Sequence, residues 1–278
     1  MDDASFQVQM NLADVDLARV PYEDHTSVIE GVISPLGQSG WSRSSECYVH
    51  SFSFAGWRRI HGPMVEKKLT LLRPIPALLD ARRQHHEFFD RFPVYSVQRF
   101  TVLLSRDQTR AVVEKALVVE SPDHDLEHLS ERLRKPVILS TEAFGDLILN
   151  PRLDWFEGKA EWNGKTIEIH FQKSIDGTIA LALDAARRLW PDQAEWKRKV
   201  DEFAVMDLLS LKNETWLDED EKPVTVTEFK ERMRLTAIQF TRDGKFEFWH
   251  EDGDLFWGHA IVVAGNLHDG PTKADIPG

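Results

Sequence analysis

The stretch DWFEGKAEWNGKTIEIHF, residues 154–171, leaves the chain little choice of local structure. Phe156, Gly158, Ala160 and Trp162 alternate with charged residues, Ile167, Ile169 and Phe171 alternate with polar ones, and Asn163-Gly164 stands between the two runs. A period of two puts each apolar set on one face of a strand, and Asn-Gly accepts the positive φ of a two-residue hairpin turn. Such a hairpin has one apolar face and needs a layer to cover it.

Helical patterns follow directly. TIALALDAARRLW leads to Pro191 and a longer helix, where Asp192 and Glu195 have the spacing of a capping box and Trp196, Val200, Phe203 and Leu211 form a stripe with Asp207 near its edge. Thr225 and Glu228 repeat the capping signature, and LDEDEKP between the two helices is an acidic, solvated loop. Strand patterns then return: LTAIQFT, a turn at Asp243-Gly244, KFEFWH, a turn at EDGD, and LFWGHAIVV, which together predict a three-stranded antiparallel meander. The expected fold class is α+β, the second of two domains being an antiparallel sheet, hairpin plus three-stranded meander, covered by helices.

The first half reads as mixed α and β. CYVHSFSF and VYSVQRFTVLL are strand-like; Pro74 and Pro76 open a helical stretch, PALLDARRQHHEFFDRF, with Leu78, Leu79, Arg82, Phe89 and Phe92 on its apolar face; and Asp123 caps DHDLEHLSERLR. Lys135-Pro136 closes that helix. The boundary is placed there, giving an N-terminal accessory domain over residues 1–135 and an α+β domain over 136–278.

Charge is unevenly shared between these halves. Residues 1–135 hold 17 Lys and Arg against 19 Asp and Glu, and residues 136–278 hold 17 against 27, so the second half carries most of the net charge of −12. An acidic surface repels phosphate and attracts cationic partners, which excludes nucleic acid as the expected ligand and favours a basic protein. No run of apolar residues is long enough for a membrane helix and the start MDDASFQVQM does not resemble a signal peptide, so a cytoplasmic protein with no membrane partner is expected. The single cysteine, Cys47, rules out an internal disulfide and reads as an inert, buried thiol. The oligomeric state is not legible.

FEFWHEDGDLFWGH, residues 246–259, concentrates aromatics, histidines and carboxylates. Phe246, Phe248 and His250 share one face, with Glu247 and Trp249 on the other; His259 is expected inside a hydrophobic strand, beside Gly258 at a bulge. One reading joins His250, Asp252, Asp254 and His259 into a metal or acid–base cluster with His250 and His259 as catalytic candidates, although their spacing matches no ligand motif. The other makes Asp252-Gly253 ordinary turn chemistry and His259 structural. His85, His86, Glu87 and Asp90 read as a solvated helix face; His124 and His128 have a zinc-compatible i, i+4 spacing but lack the glutamate of H-E-x-x-H, and no nucleotide, hydrolase or thiol-redox motif is present. No cofactor is implied. The nine tryptophans suit a core, with an exposed subset able to anchor an interface.

LDWFEGKAEWNGKTIEI, ARRLWPDQAEWKRKV, LLSLKNETWL and DGDLFWGHAIVVAGNLHDGPTKADIPG resemble the bacterial family of domain of unknown function 2262 over about residues 136–278. The resemblance brings no activity, so no catalytic residue is carried over. The ending, FWGH, an apolar strand and a terminal Ala-x-Ile-x-Gly, is similar to small bacterial families found among toxin-immunity proteins. The leading expectation is therefore a non-enzymatic protein-binding module, an immunity-type protein being one form of it. Asp218, Glu219, Asp220 and Glu221 in the helix loop and Glu251, Asp252 and Asp254 at the hairpin tip would meet a basic partner. The alternative is a metal-dependent hydrolase or small-ligand-binding protein centred on the 250–259 hairpin.

Overall fold

In a computed structural model, the chain is described over residues 20–36, 38–44, 47–76, 87 and 90–277. It divides into two compact units, Met1–Pro136 and Val137–Gly278.

In the first unit, β1 (Ser27–Ile33) pairs with both β3 (Cys47–Arg59) and β5 (Val97–Leu104). β3 continues to β4 (Leu69–Pro76), β4 lies parallel to β6 (Arg110–Leu117), and β6 returns antiparallel to β5. That circuit closes a five-stranded barrel of the Greek-key OB type, with β2 (Ser39–Ser44) attached to the free edge of β3. Phe52, Phe54, Phe100 and Trp57 fill its interior. Outside it, α1 (His124–Arg134) packs Leu126 and Leu129 on Val32. Its cap, Asp123, also binds Arg58, and Arg58 (3.0 Å) and Arg99 (2.8 Å) both reach the buried Glu30 carboxylate. The helix is thus fastened to the barrel by paired charges.

Pro74 and Pro76 do not open a helix: both belong to β4, paired with Val49 and Cys47, and the strand ends at Pro76. Most of the helix expected after them, including His85 and His86, lies outside the described residues, as does the side chain of Cys47.

The second unit is α+β, but its sheet is larger than a hairpin plus a three-stranded meander. Eight strands run in the order β14-β13-β12-β11-β10-β9-β8-β7: β7 (Ile138–Thr141), β8 (Gly145–Asn150), β9 (Trp155–Trp162), β10 (Lys165–Gln172), β11 (Arg234–Phe240), β12 (Phe246–Glu251), β13 (Ile261–Asn266) and β14 (Gly270–Asp275). Asn163 and Gly164 take φ of 47° and 77° between β9 and β10, the turn their sequence requires. Three features enlarge the sheet. β7 and β8 add a further antiparallel hairpin beside β9. β14, GPTKAD, pairs with β13 although it has no apolar alternation, because an edge strand can be held by backbone hydrogen bonds alone. β10 and β11 are parallel, from Glu168↔Ala237 to Phe171↔Phe240, which fuses the hairpin system to the meander.

A parallel neighbour cannot be reached by a tight turn. The connection runs through α2 (Ala180–Leu189), α3 (Gln193–Thr215) and α4 (Val226–Arg232). α2 packs on β10 and β11, and α3 on β13 and β14. The buried stripe of α3 is Trp196, Val200, Ala204, Leu208 and Lys212, a progression by four. Leu211, expected on that stripe, is 38% exposed, because a step of four from Val200 carries the contact to Ala204 and Leu208 instead. Asp192 makes no side-chain cap, since a 3-10 turn over Trp190–Asp192 enters the helix and Glu195 pairs with Arg198. Thr225 and Glu228 do form the capping box of α4.

Phe156, Ile169, Phe171, Ile238, Phe240, Phe246, Phe248 and Val263 face the helices and make the core. The strand expected over LFWGHAIVV begins only at Ile261, so His259 lies in a loop. No helix of the described residues is long and apolar enough to cross a membrane.

Gly265 sits opposite Pro271 at the irregularity in the β13–β14 pairing: a Cβ there would meet the Gly270 carbonyl, the Pro271 Cα and the Phe246 ring. Gly265→Ala is expected to destabilise the second unit by roughly 2 kcal/mol or more, read as a lower urea midpoint with an unchanged slope.

Candidate functional site

The busiest end of the sheet is the loop from Glu251 to Ala260. Asp252 is buried, and its carboxylate accepts the backbone N–H groups of Asp254 (3.2 Å), Phe256 (2.6 Å) and Gly258 (3.1 Å). Those bonds hold Asp254 and Trp257 at φ of 66° and 56°, a conformation that costs L-residues about 1 kcal/mol or more each. Gly253 admits no side chain, since a Cβ would stand 2.6 Å from the Arg232 carbonyl oxygen. Leu255 and Phe256 point into the core, and Trp257 is turned out, 59% exposed.

Trp257 does not stand alone. Its ring lies 4.7 Å from that of Trp216, at the C-terminus of α3, and Trp216 meets Phe256 and His259 edge to face at 5.6 Å. The acidic loop begins beside this cluster, with Asp218, Glu219 and Asp220 exposed.

Glu221 has a different task. Lys212, 0% exposed on the buried stripe of α3, donates its ammonium to Glu221 and to the Trp216 carbonyl (2.8 Å). Arg232 joins the other Glu221 oxygen at 3.0 Å and gives its Nε to the Gly253 carbonyl at 2.8 Å. The hydrogen bond from Lys212, helped by Arg232, holds the Glu221 carboxyl below its ordinary pKa. One carboxylate therefore ties α3, the acidic loop, α4 and the hairpin turn together.

The sequence-derived candidates separate accordingly. Asp218, Glu219 and Asp220, which follow Trp216 in the chain, and Asp254 are exposed, Glu251 is exposed but paired with Arg234 at 2.7 Å, and Glu221 and Asp252 are committed to internal bonds. His250 is 4% exposed on the helix-covered side, whereas His259 packs against Trp216. Among the described residues no group of three or more His, Cys, Asp or Glu side chains is placed to hold a metal ion. Trp216 and Trp257 were visible in the sequence only as two of nine tryptophans; the sequence carries no signal for which of them is exposed.

Burial pushes the His250 imidazole down to about 4, with the Lys197 charge acting in the same direction and peptide groups of Ile261 and Phe248 opposing in part. The native state thus holds His250 neutral while the unfolded chain binds a proton below about pH 6.5. Stability is expected to fall as pH drops through the window from about 6.5 to 4, by up to about 3 kcal/mol, and to level off below it as far as this group is concerned. His250→Leu should flatten that part of a stability–pH curve. Glu221→Ala should cost about 3 kcal/mol by stranding a buried ammonium, and Lys212→Met in the same chain should recover much of it; urea unfolding of the two single variants and the double one measures both.

Comparison with curated proteins and with solved structures finds no match. A family model, described as an uncharacterized protein conserved in bacteria, matches residues 141–276, nearly the whole of the second unit. Residues 141–276 of the chain thus match the DUF2262 family.

Proposed function

We propose that this chain is a non-enzymatic, cytosolic protein-binding module whose second unit captures a basic partner at the 252–259 loop. The observation that carries the reading is Trp257: a tryptophan held outward by a braced loop and backed by Trp216, in a unit with exposed carboxylates close by in sequence at Asp254 and after Trp216. Exposed aromatic anchors supply most of the energy of protein interfaces, and a flanking charge selects the partner and speeds its arrival. A cationic side chain over the indole face, with Asp218, Glu219, Asp220 and Asp254 as the acidic charge, satisfies both. An immunity-type protein that neutralises a basic toxin domain is one form of this reading, favoured by the acidic second half. The metal-dependent alternative draws no support from the placement of its donors.

A photo-crosslinking phenylalanine analogue at position 257, used in a bacterial host, would identify the partner, which should present a basic surface. With the purified partner, Trp257→Ala should weaken binding by roughly tenfold or more. Reversing Asp218, Glu219 and Asp220 to lysine should slow association and flatten its salt dependence. An acidic crosslinked surface, or wild-type affinity in both variants, sinks the reading.

A further inference from the structure

The face of the eight-stranded sheet opposite the helices carries its own organised chemistry. Register places Glu157 of β9, His170 of β10, Gln239 of β11 and Glu247 of β12 side by side in one row across four strands. At about 4.8 Å per strand the row spans about 14 Å. At each end an indole orients the carboxylate: Trp155 Nε1 donates to Glu157 at 3.0 Å and Trp249 Nε1 to Glu247 at 3.2 Å. Asn150 adds a second donor to Glu157 at 3.1 Å, and Trp155 stacks on His170 with ring centroids 4.7 Å apart and planes 6° from parallel.

Between the two carboxylates sits Gln239, 6% exposed, whose side-chain amide bonds to none of the described residues. Its amide atoms are not sealed from solvent, so they remain available from this face. The row is rich in acceptors: two carboxylates, an amide oxygen and an imidazole that burial keeps from charging, with Glu168 one level away at 3.5 Å from His170. Cations on this face are Lys159, opposite Glu168, and Arg234 and Lys273, already paired with Glu251 and Asp275. What complements such a row is a ligand of many donors and positive charge, and aromatic shelves at both ends suit a guanidinium.

We propose that this helix-free face of the second unit is a second docking surface, taking an extended arginine-bearing segment of a basic protein across the row from Glu157 to Glu247. It deepens the reading above and rests on it for the charge of the partner, but it uses none of the loop residues.

The test is NMR on the full chain titrated with a capped octapeptide of alternating arginine and serine, with spermidine as a second titrant. The indole N–H signals of Trp155 and Trp249 should shift with the peptide. Glu157→Gln with Glu247→Gln keeps an acceptor for each indole, and it should weaken binding at this face roughly tenfold or more. Gln239→Leu, which removes the unpaired amide alone, should weaken it less. The triple variant Asp218→Asn, Glu219→Gln, Asp220→Asn should leave both indole shifts in place. Absent indole shifts, or wild-type affinity in the Glu157/Glu247 double variant, overturns the proposal; peptide binding lost only in the loop triple variant does the same while leaving the loop reading standing. Spermidine binding as tightly as the peptide would reassign the face to a free polyamine and overturn the polypeptide occupant.

Discussion

The parallel contact between β10 and β11 sets the plan of the second unit. Every other neighbouring pair in that sheet is antiparallel, and most are joined by short connections. Only at this contact must the chain leave the sheet and re-enter from the same end, and the excursion is where all three helices of the unit lie. They cover one face, and no other described element of this unit lies on the opposite one. The same excursion ends beside the β12–β13 loop, because α4 must deliver the chain to the start of β11, across from the end of β12. Both surfaces proposed for binding are consequences of that single crossover.

Polar bonds then finish what the crossover positions. Burying the ammonium of Lys212 on an otherwise apolar helix stripe is costly unless it is paired, so Glu221 has little freedom to be anywhere else. Because Glu221 also holds Arg232, and Arg232 holds the Gly253 carbonyl, the charge that satisfies α3 fixes the hairpin turn at the same time. Asp252 completes the turn from inside. Glu30 plays the corresponding part in the first unit, where Arg58 links it to the cap of α1. In each case a buried charge fastens a helical segment to strands that hydrophobic packing, being non-directional, would hold less specifically.

The local elements were readable wherever period and turn chemistry agreed. The β9–β10 hairpin, the capping box at Thr225 and Glu228, the Asp243-Gly244 turn and the alternating faces of β12 follow from residue order alone. What was not readable was set by partners distant in sequence. Nothing in ILST or GPTKAD shows that each would take an edge of one sheet, and no local pattern says that β11 lies parallel to β10. In LFWGHAIVV apolar alternation suggests a strand, yet Asp252, from outside the run, bends its first six residues into a loop. Among the acids of the candidate site, composition treated Glu221 and Asp220 alike; only the buried Lys212 distinguishes a structural carboxylate from an exposed one.

The two binding surfaces differ in how they are prepared. At the loop, the carboxylates are exposed and hydrated, so their contribution is long-ranged and weakened by salt, and the affinity must come from the indole of Trp257. On the helix-free face, Glu157 and Glu247 are half-buried and already oriented by indole N–H groups, so a guanidinium arriving there meets acceptors that need little reorganisation. Steering and anchoring are thereby divided between an outlying acidic loop and a fixed polar row. A basic partner engaging both would be gathered by the first and held by the second, and neither role requires the sheet to move.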